Sequence, residues 1–167
     1  GGSMGLKKVL IIGCGAILER HIESIHKNKD FVLVALCDIQ KEIAVSKSKK
    51  YNVSFFSDYK QAVLESGANF VVIATPNSMH MEQSIFSLEN GCDVLCEKPV
   101  AFTEDQVKTI MECARKNKRK AYCVLQVRLN PTIEILKKAL NKDLIGDIRG
   151  VVFTQRWQRP LEYFSGW

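Results

Sequence analysis

Val9-Leu10-Ile11-Ile12-Gly13-Cys14-Gly15-Ala16-Ile17 decides the fold: an apolar, mostly β-branched run enters a glycine pair and then a helical pattern. A continuous apolar run of this length suits a strand covered on both faces, as in a parallel sheet. The glycines have distinct tasks in such a turn. Gly13 permits the tight bend, and Gly15 leaves room for backbone amides to approach a pyrophosphate at the positive end of the helix dipole. A plain strand-to-helix turn is the competing reading. Leu18 stands where a third glycine would allow close helix-to-strand packing, so it is expected to push the helix outward or tilt it, at a cost to cofactor affinity.

Working outward, short β-branched runs alternate with helical patterns and no repeat of fixed period occurs. Strands are expected at Val9–Ile12, Phe31–Cys37, Val53–Phe55, Phe70–Ala74, Asp93–Cys96 and Ala121–Gln126. Helices are expected at Ile17–Lys27, Lys41–Lys50, Asp58–Glu65, Ser78–Glu89, Glu104–Lys116 and Thr132–Leu140. Thr103 with Gln106 reads as a capping box, and Asn90-Gly91 as a helix stop. The alternation implies an α/β fold, a doubly wound parallel sheet of the Rossmann kind whose ligands collect at the carboxyl ends of the strands.

Three further signals fall at such ends. Asp38 closes the second strand, 23 residues after Gly15, near the spacing at which an acid bonds the adenosine ribose hydroxyls. A carboxylate there repels a 2′-phosphate, so NAD is expected over NADP, although Lys41 nearby softens the choice. Thr75-Pro76-Asn77 with His80 follows the fourth strand; Asn77 suits either a ribose contact or a helix cap, and His80 either a structural or a functional histidine. Glu97-Lys98-Pro99 follows the fifth. A lysine buried at the rim of a cofactor crevice, oriented by the neighbouring glutamate, suits acid–base work when a secondary alcohol is oxidised. Taken alone, a surface Lys-Pro turn explains it as well.

Composition excludes much else. The chain has 167 residues, 46% apolar and 25% charged, with a net charge of +6, which suits a globular protein. Lys47, Lys49 and Lys50, then Arg115, Lys116, Lys118, Arg119 and Lys120, lie where helices end and complement their dipoles, without the interleaved aromatics of a nucleic-acid platform. No nucleic-acid partner is expected. Six cysteines without a Cys-x-x-Cys read as buried free thiols in a reducing cytosol, and no metal site is expected. No apolar stretch reaches the ~18 residues of a membrane span, and no leader is visible, so a cytoplasmic protein is expected.

Residues 1–5 read as a tag scar and disordered start, residues 6–126 as the dinucleotide-binding domain, and residues 127–167 as the beginning of a second, α+β domain cut short. A strand from about Ile148 to Trp157 has no partner, and the aromatic, basic stretch through Arg156, Trp157, Arg159, Tyr163 and Phe164 is an unusual ending. The chain is therefore expected to be the front portion of a larger protein.

Together, Ile12-Gly13-Cys14-Gly15-Ala16-Ile17 with Arg20-His21, Ala74-Thr75-Pro76-Asn77 with His80, and Cys96-Glu97-Lys98-Pro99-Val100-Ala101 resemble the Gfo/Idh/MocA oxidoreductases, from about Lys7 onward. The resemblance implies an NAD(P)-binding Rossmann domain followed by a substrate domain that often forms the oligomer interface. It implies Lys98 as the catalytic lysine, also touching substrate, with Glu97 and Pro99 setting it in place. It implies cofactor contacts at Gly13, Gly15, Ala16, Ile17, Asp38, Thr75, Pro76, Asn77, His80, Glu97 and Lys98. The departures are Leu18 and the absence of a later Asp-x-Gly-x-x-x-His pattern that supplies a second proton-transfer residue.

Within the family, the stretch from Gln155 to Trp167 looks most like bacterial dehydrogenases of UDP-linked N-acetylglucosaminuronic acid. Arg156 and Arg159 then suit carboxylate or phosphate oxygens, and Trp157 a sugar face. The expected partner is a sugar or sugar-nucleotide substrate, with a homo-oligomer in the full-length form. A non-catalytic NAD-binding sensor or scaffold is the alternative.

Overall fold

The computed structural model describes residues 5–154, 156–158, 160 and 161. Contacts divide the chain after Leu125 into two units.

The first unit is a six-stranded, all-parallel sheet built from β1 (Lys7–Ile12), β2 (Phe31–Cys37), β3 (Ser54–Phe56), β4 (Phe70–Ile73), β5 (Asp93–Cys96) and β6 (Ala121–Cys123). Their order, β3-β2-β1-β4-β5-β6, reverses direction between β1 and β4, which is the switch point where α/β sheets open a ligand crevice. Five helices connect them: α1 (Leu18–His26), α2 (Lys41–Tyr51), α3 (Tyr59–Glu65), α4 (His80–Glu89) and α5 (Glu104–Lys116).

The apolar runs become strands because both of their faces are covered. Along β1, Leu10 and Ile12 point to one core with Ala62 and Val63 of α3, Leu88 of α4 and Ile110 and Ala114 of α5. Val9 and Ile11 point to the other, with Leu18, Ile22 and Ile25 of α1. The β1–β2 pairing shifts register between Val9 and Leu10, where one residue of β2 is left over.

The helix signals act as their chemistry dictates. The Thr103 hydroxyl accepts the Gln106 amide at 3.2 Å, while the Gln106 side chain accepts from Phe102, one residue before the usual partner. Asp58 caps α3 by accepting from the Gln61 amide at 2.8 Å. Gly91 takes φ +83 after α4. The basic runs sit partly in last turns, Lys49 and Lys50 in α2 and Arg115 and Lys116 in α5. Lys47 and Lys50 also converge on Glu19, which accepts from Tyr51 as well; these bonds, from Lys47 first, hold its carboxyl down to about 2.

Strand ends differ from expectation where the ladder runs out. β6 stops at Cys123, and a 3-10 turn occupies Gln126–Leu129. Among its described residues the second unit has one α-helix, α6 (Pro131–Asn141), capped by Asn130 with Pro131 at its first position. Among the described residues from Ile148 to Trp157 there is no strand, which corrects the expectation. Val151, Val152 and Phe153 are apolar enough, yet no described strand of this unit offers them a ladder of hydrogen bonds.

All six cysteines are free, four of them buried. Burial, followed by neighbouring charge, pushes the Cys37 thiol up to about 12. Among the described residues no helix is long and apolar enough to cross a membrane, and no cluster of three metal-ligating side chains occurs.

At the amino-terminal end of the sheet, Lys7 Nζ donates to Asp93 at 2.8 Å and the Lys120 amide donates to its other oxygen at 3.0 Å. Burial alone would raise this carboxyl, but Lys7 and the Lys120 amide outweigh it and hold it below its ordinary 3.8. Its stabilisation is therefore full above the unfolded value and is lost as pH falls through the lower, folded one. Asp93→Asn is expected to lower Tm at neutral pH and to flatten the acid loss of stability, as thermal melts between about pH 2 and pH 7 would record.

Candidate dinucleotide site

Because every strand is parallel, the turns after β1, β2, β4 and β5 gather on one edge of the sheet. The turn after β1 is held tightest. Gly13 has φ +100, and a Cβ on it would lie 2.4 Å from the Ala74 carbonyl oxygen at the end of β4, so no side chain fits. Its amide donates to Cys37 O at 2.8 Å, extending the β1–β2 pairing past the strand end.

Asp38 secures the same turn from β2. One carboxylate oxygen accepts the Cys14 amide at 2.8 Å and the other accepts the Gln40 amide at 2.8 Å. Each oxygen keeps a further lone pair for a ribose hydroxyl. Cys14 turns inward, and burial and then the Asp38 charge push its thiol up to about 11, which makes it inert.

Gly15 is different in kind from Gly13. A Cβ there would meet nothing within 4 Å, so the fold itself does not demand a glycine. The amides of Gly15, Ala16 and Ile17 have no partner among the described residues, and α1 starts without a side-chain cap. Unpaired amides at a helix N-terminus beside open space fit a pyrophosphate. Leu18 is 0% exposed and packs with Ile22, Val9 and Ile11. It fills the core between helix and sheet, in the space that a third glycine would leave for closer packing.

After β4, the Thr75 hydroxyl donates to Gln83 of α4 at 2.6 Å. Pro76 is exposed and Asn77, half-buried, opens a 3-10 turn that leads into α4. The Asn77 side chain caps neither helix, which leaves its amide open to a ligand. His80 is 0% exposed, with Nδ1 2.7 Å from Pro99 O and Nε2 2.8 Å from Thr75 O. It therefore ties two loops together from within and has no surface for a cofactor, a correction to its place among the contacts.

After β5, the Glu97 amide donates to Ile73 O at 2.9 Å. The expectation of a buried Lys98 paired with Glu97 is not met. Lys98 is exposed, has no carboxylate within 4.0 Å among the described residues, and precedes Pro99 across a cis peptide. Glu97 instead turns to His21 of α1, 3.0 Å away. Sequence reasoning missed this pair; its only signal was the Arg20-His21 dipeptide within the resemblance. Arg156 lies in the second unit, and Arg159 lies outside the described residues.

A glycine turn closed against β4, an acid closing β2 and free amides at α1 define a dinucleotide-binding Rossmann unit. Residues 7–125 match the model of the oxidoreductase family with an NAD-binding Rossmann fold (Gfo/Idh/MocA), and the chain belongs to that family. It is 35% identical over 111 residues to D-glucoside 3-dehydrogenase of Escherichia coli K12, covering 65% of this chain and 32% of that protein. It is 32% identical over 140 residues to an NADP(+)-linked scyllo-inositol 2-dehydrogenase of Bacillus subtilis, covering 83% and 42%. Among solved structures it is similar to the WlbA dehydrogenase of Bordetella pertussis in complex with NADH and UDP-GlcNAcA, with a TM-score of 0.88 and 29% identity over 96% of this chain and 49% of that one. The chain spans less than half the length of these relatives.

The two glycines should separate folding from binding. Gly13→Ala is expected to destabilise by more than ~2 kcal/mol, since it joins a left-handed backbone to a backbone clash. Gly15→Ala is expected to keep stability within about 0.5 kcal/mol and to weaken NADH binding, read by nicotinamide fluorescence.

Proposed function

We propose that this chain is the cofactor-binding part of an NAD-dependent dehydrogenase that moves a hydride between nicotinamide and a secondary alcohol of a sugar or sugar nucleotide. The observation that carries the reading is the gathering of the glycine turn, Asp38, Thr75 to Asn77 and Glu97-Lys98 on one edge of the sheet. Bound there, the dinucleotide supplies the hydride acceptor.

The residues divide the remaining work. The amides of Gly15, Ala16 and Ile17 receive the pyrophosphate, and Asp38 the adenosine ribose. Thr75, Pro76 and Asn77 border the nicotinamide half. Lys98 takes the hydroxyl proton as the alcohol is oxidised and returns it in reduction. Sugar-nucleotide substrates find support in the WlbA relative, whose structure holds NADH and UDP-GlcNAcA. Arg156 and Arg159 are the candidates for the substrate's acidic oxygens.

The preference for NAD rests on Asp38. Its carboxylate is held by two backbone amides and has little freedom to turn away from a 2′-phosphate. NADH is expected to bind at least ~10-fold more tightly than NADPH, about 1.4 kcal/mol, in parallel fluorescence titrations. Equal affinities would remove Asp38 from that role.

In the full-length protein, Lys98→Met is expected to lower turnover of a sugar-nucleotide or cyclic-polyol substrate by roughly 10²–10⁴ while cofactor affinity stays nearly constant. Parallel losses in both would assign Lys98 to binding alone.

A further inference from the structure

His21 sits on α1 one turn into the helix that begins at the glycine turn. Leu18, Ile22 and Ile25 of the same helix are buried in the core, so α1 cannot roll about its axis without breaking that packing. The orientation leaves His21 Nε2 3.0 Å from Glu97 Oε1, a hydrogen bond when the proton is on Nε2. Both side chains are well enclosed, with 12% and 14% of their surface exposed. The histidine also borders a groove walled by Val9, Ile25, Phe70, Val72 and Leu95, and such apolar surroundings strengthen a polar contact.

The other oxygen of Glu97 faces the amide of Lys98, 3.4 Å away. A chain of contacts thus runs from the amides of α1, through the helix to His21, to the Glu97 carboxylate and on to the backbone of Lys98. It joins residues 76 apart in sequence. The Lys98 side chain itself has no ion pair among the described residues, so its placement depends on that backbone.

We propose that His21 is a positioning residue: through Glu97 it fixes the loop that carries Lys98 and transmits to that loop the seating of a pyrophosphate on α1. The consequence for turnover rests on the acid–base reading of Lys98, but the linkage does not. His21 touches neither reacting atom. It acts by supplying one N–H at one place.

The test uses ADP, which carries adenosine and a pyrophosphate but no nicotinamide half, and follows the amide resonance of Lys98 in ¹H–¹⁵N spectra of the chain. Saturating ADP is expected to move that resonance in the wild type and in His21→Gln, which keeps an N–H donor of similar reach. In His21→Leu the resonance is expected to stay still although ADP still binds, and NADH affinity is expected to fall roughly tenfold. Should His21→Leu fail to fold, His21→Asn, polar but too short to reach Glu97, serves in its place. The proposal is overturned if the Lys98 amide ignores ADP in the wild type, follows ADP equally in His21→Leu or His21→Asn, or if His21→Gln behaves like His21→Leu. Turnover that survives Lys98→Met would instead reject the acid–base reading and leave the linkage standing.

Discussion

Everything on the active edge of the sheet depends on how closely the glycine turn passes over the end of β4. With 2.4 Å between a notional Gly13 Cβ and the Ala74 carbonyl oxygen, backbone lies on backbone with no side chain between. The Ala74 amide in turn donates to Ile12 O at 2.8 Å, so β1 and β4 remain paired up to the point where the two chains part. Free amides and the Thr75 loop are neighbours for that reason. A side chain at position 13 would separate them and with them the two halves of a dinucleotide site.

Much of this was legible from residue order. Continuous runs such as Phe70-Val71-Val72-Ile73 cannot be satisfied with one wet face, and in the structure all four are buried. Parallel strands then require crossovers, and crossovers place each polar turn on the same edge. The place of Asp38 just past the end of β2 is legible by spacing from the glycine turn. That it holds the Cys14 and Gln40 amides is not legible there, since spacing says nothing about which way a carboxylate turns.

The misreadings share a cause. Glu97 was paired with Lys98 because they are adjacent in sequence, but successive side chains at the end of a strand leave on opposite sides. Glu97 therefore finds a partner from α1. His80, which the sequence leaves open between a structural and a functional role, points inward from the start of α4, and both ring nitrogens meet carbonyls. The strand expected after Ile148 has the right residues and meets no partner strand among the described residues of its unit, and a strand is a property of a pair.

A further consequence concerns which groups on this edge are at liberty to exchange a proton. Asp38 is committed to two backbone amides, Glu97 to His21 and the Lys98 amide, and His80 is enclosed between carbonyls. Each of these side chains already holds part of the fold in place. Lys98 carries no such obligation among the described residues, and its exposed ammonium stands beside a carboxylate already engaged elsewhere. The carboxylates fix the shape of the edge, and the lysine side chain takes no part in that among the described residues. A side chain that holds no part of the loop can move with a ligand without disturbing the edge, which is what the acid–base role proposed for Lys98 asks of it.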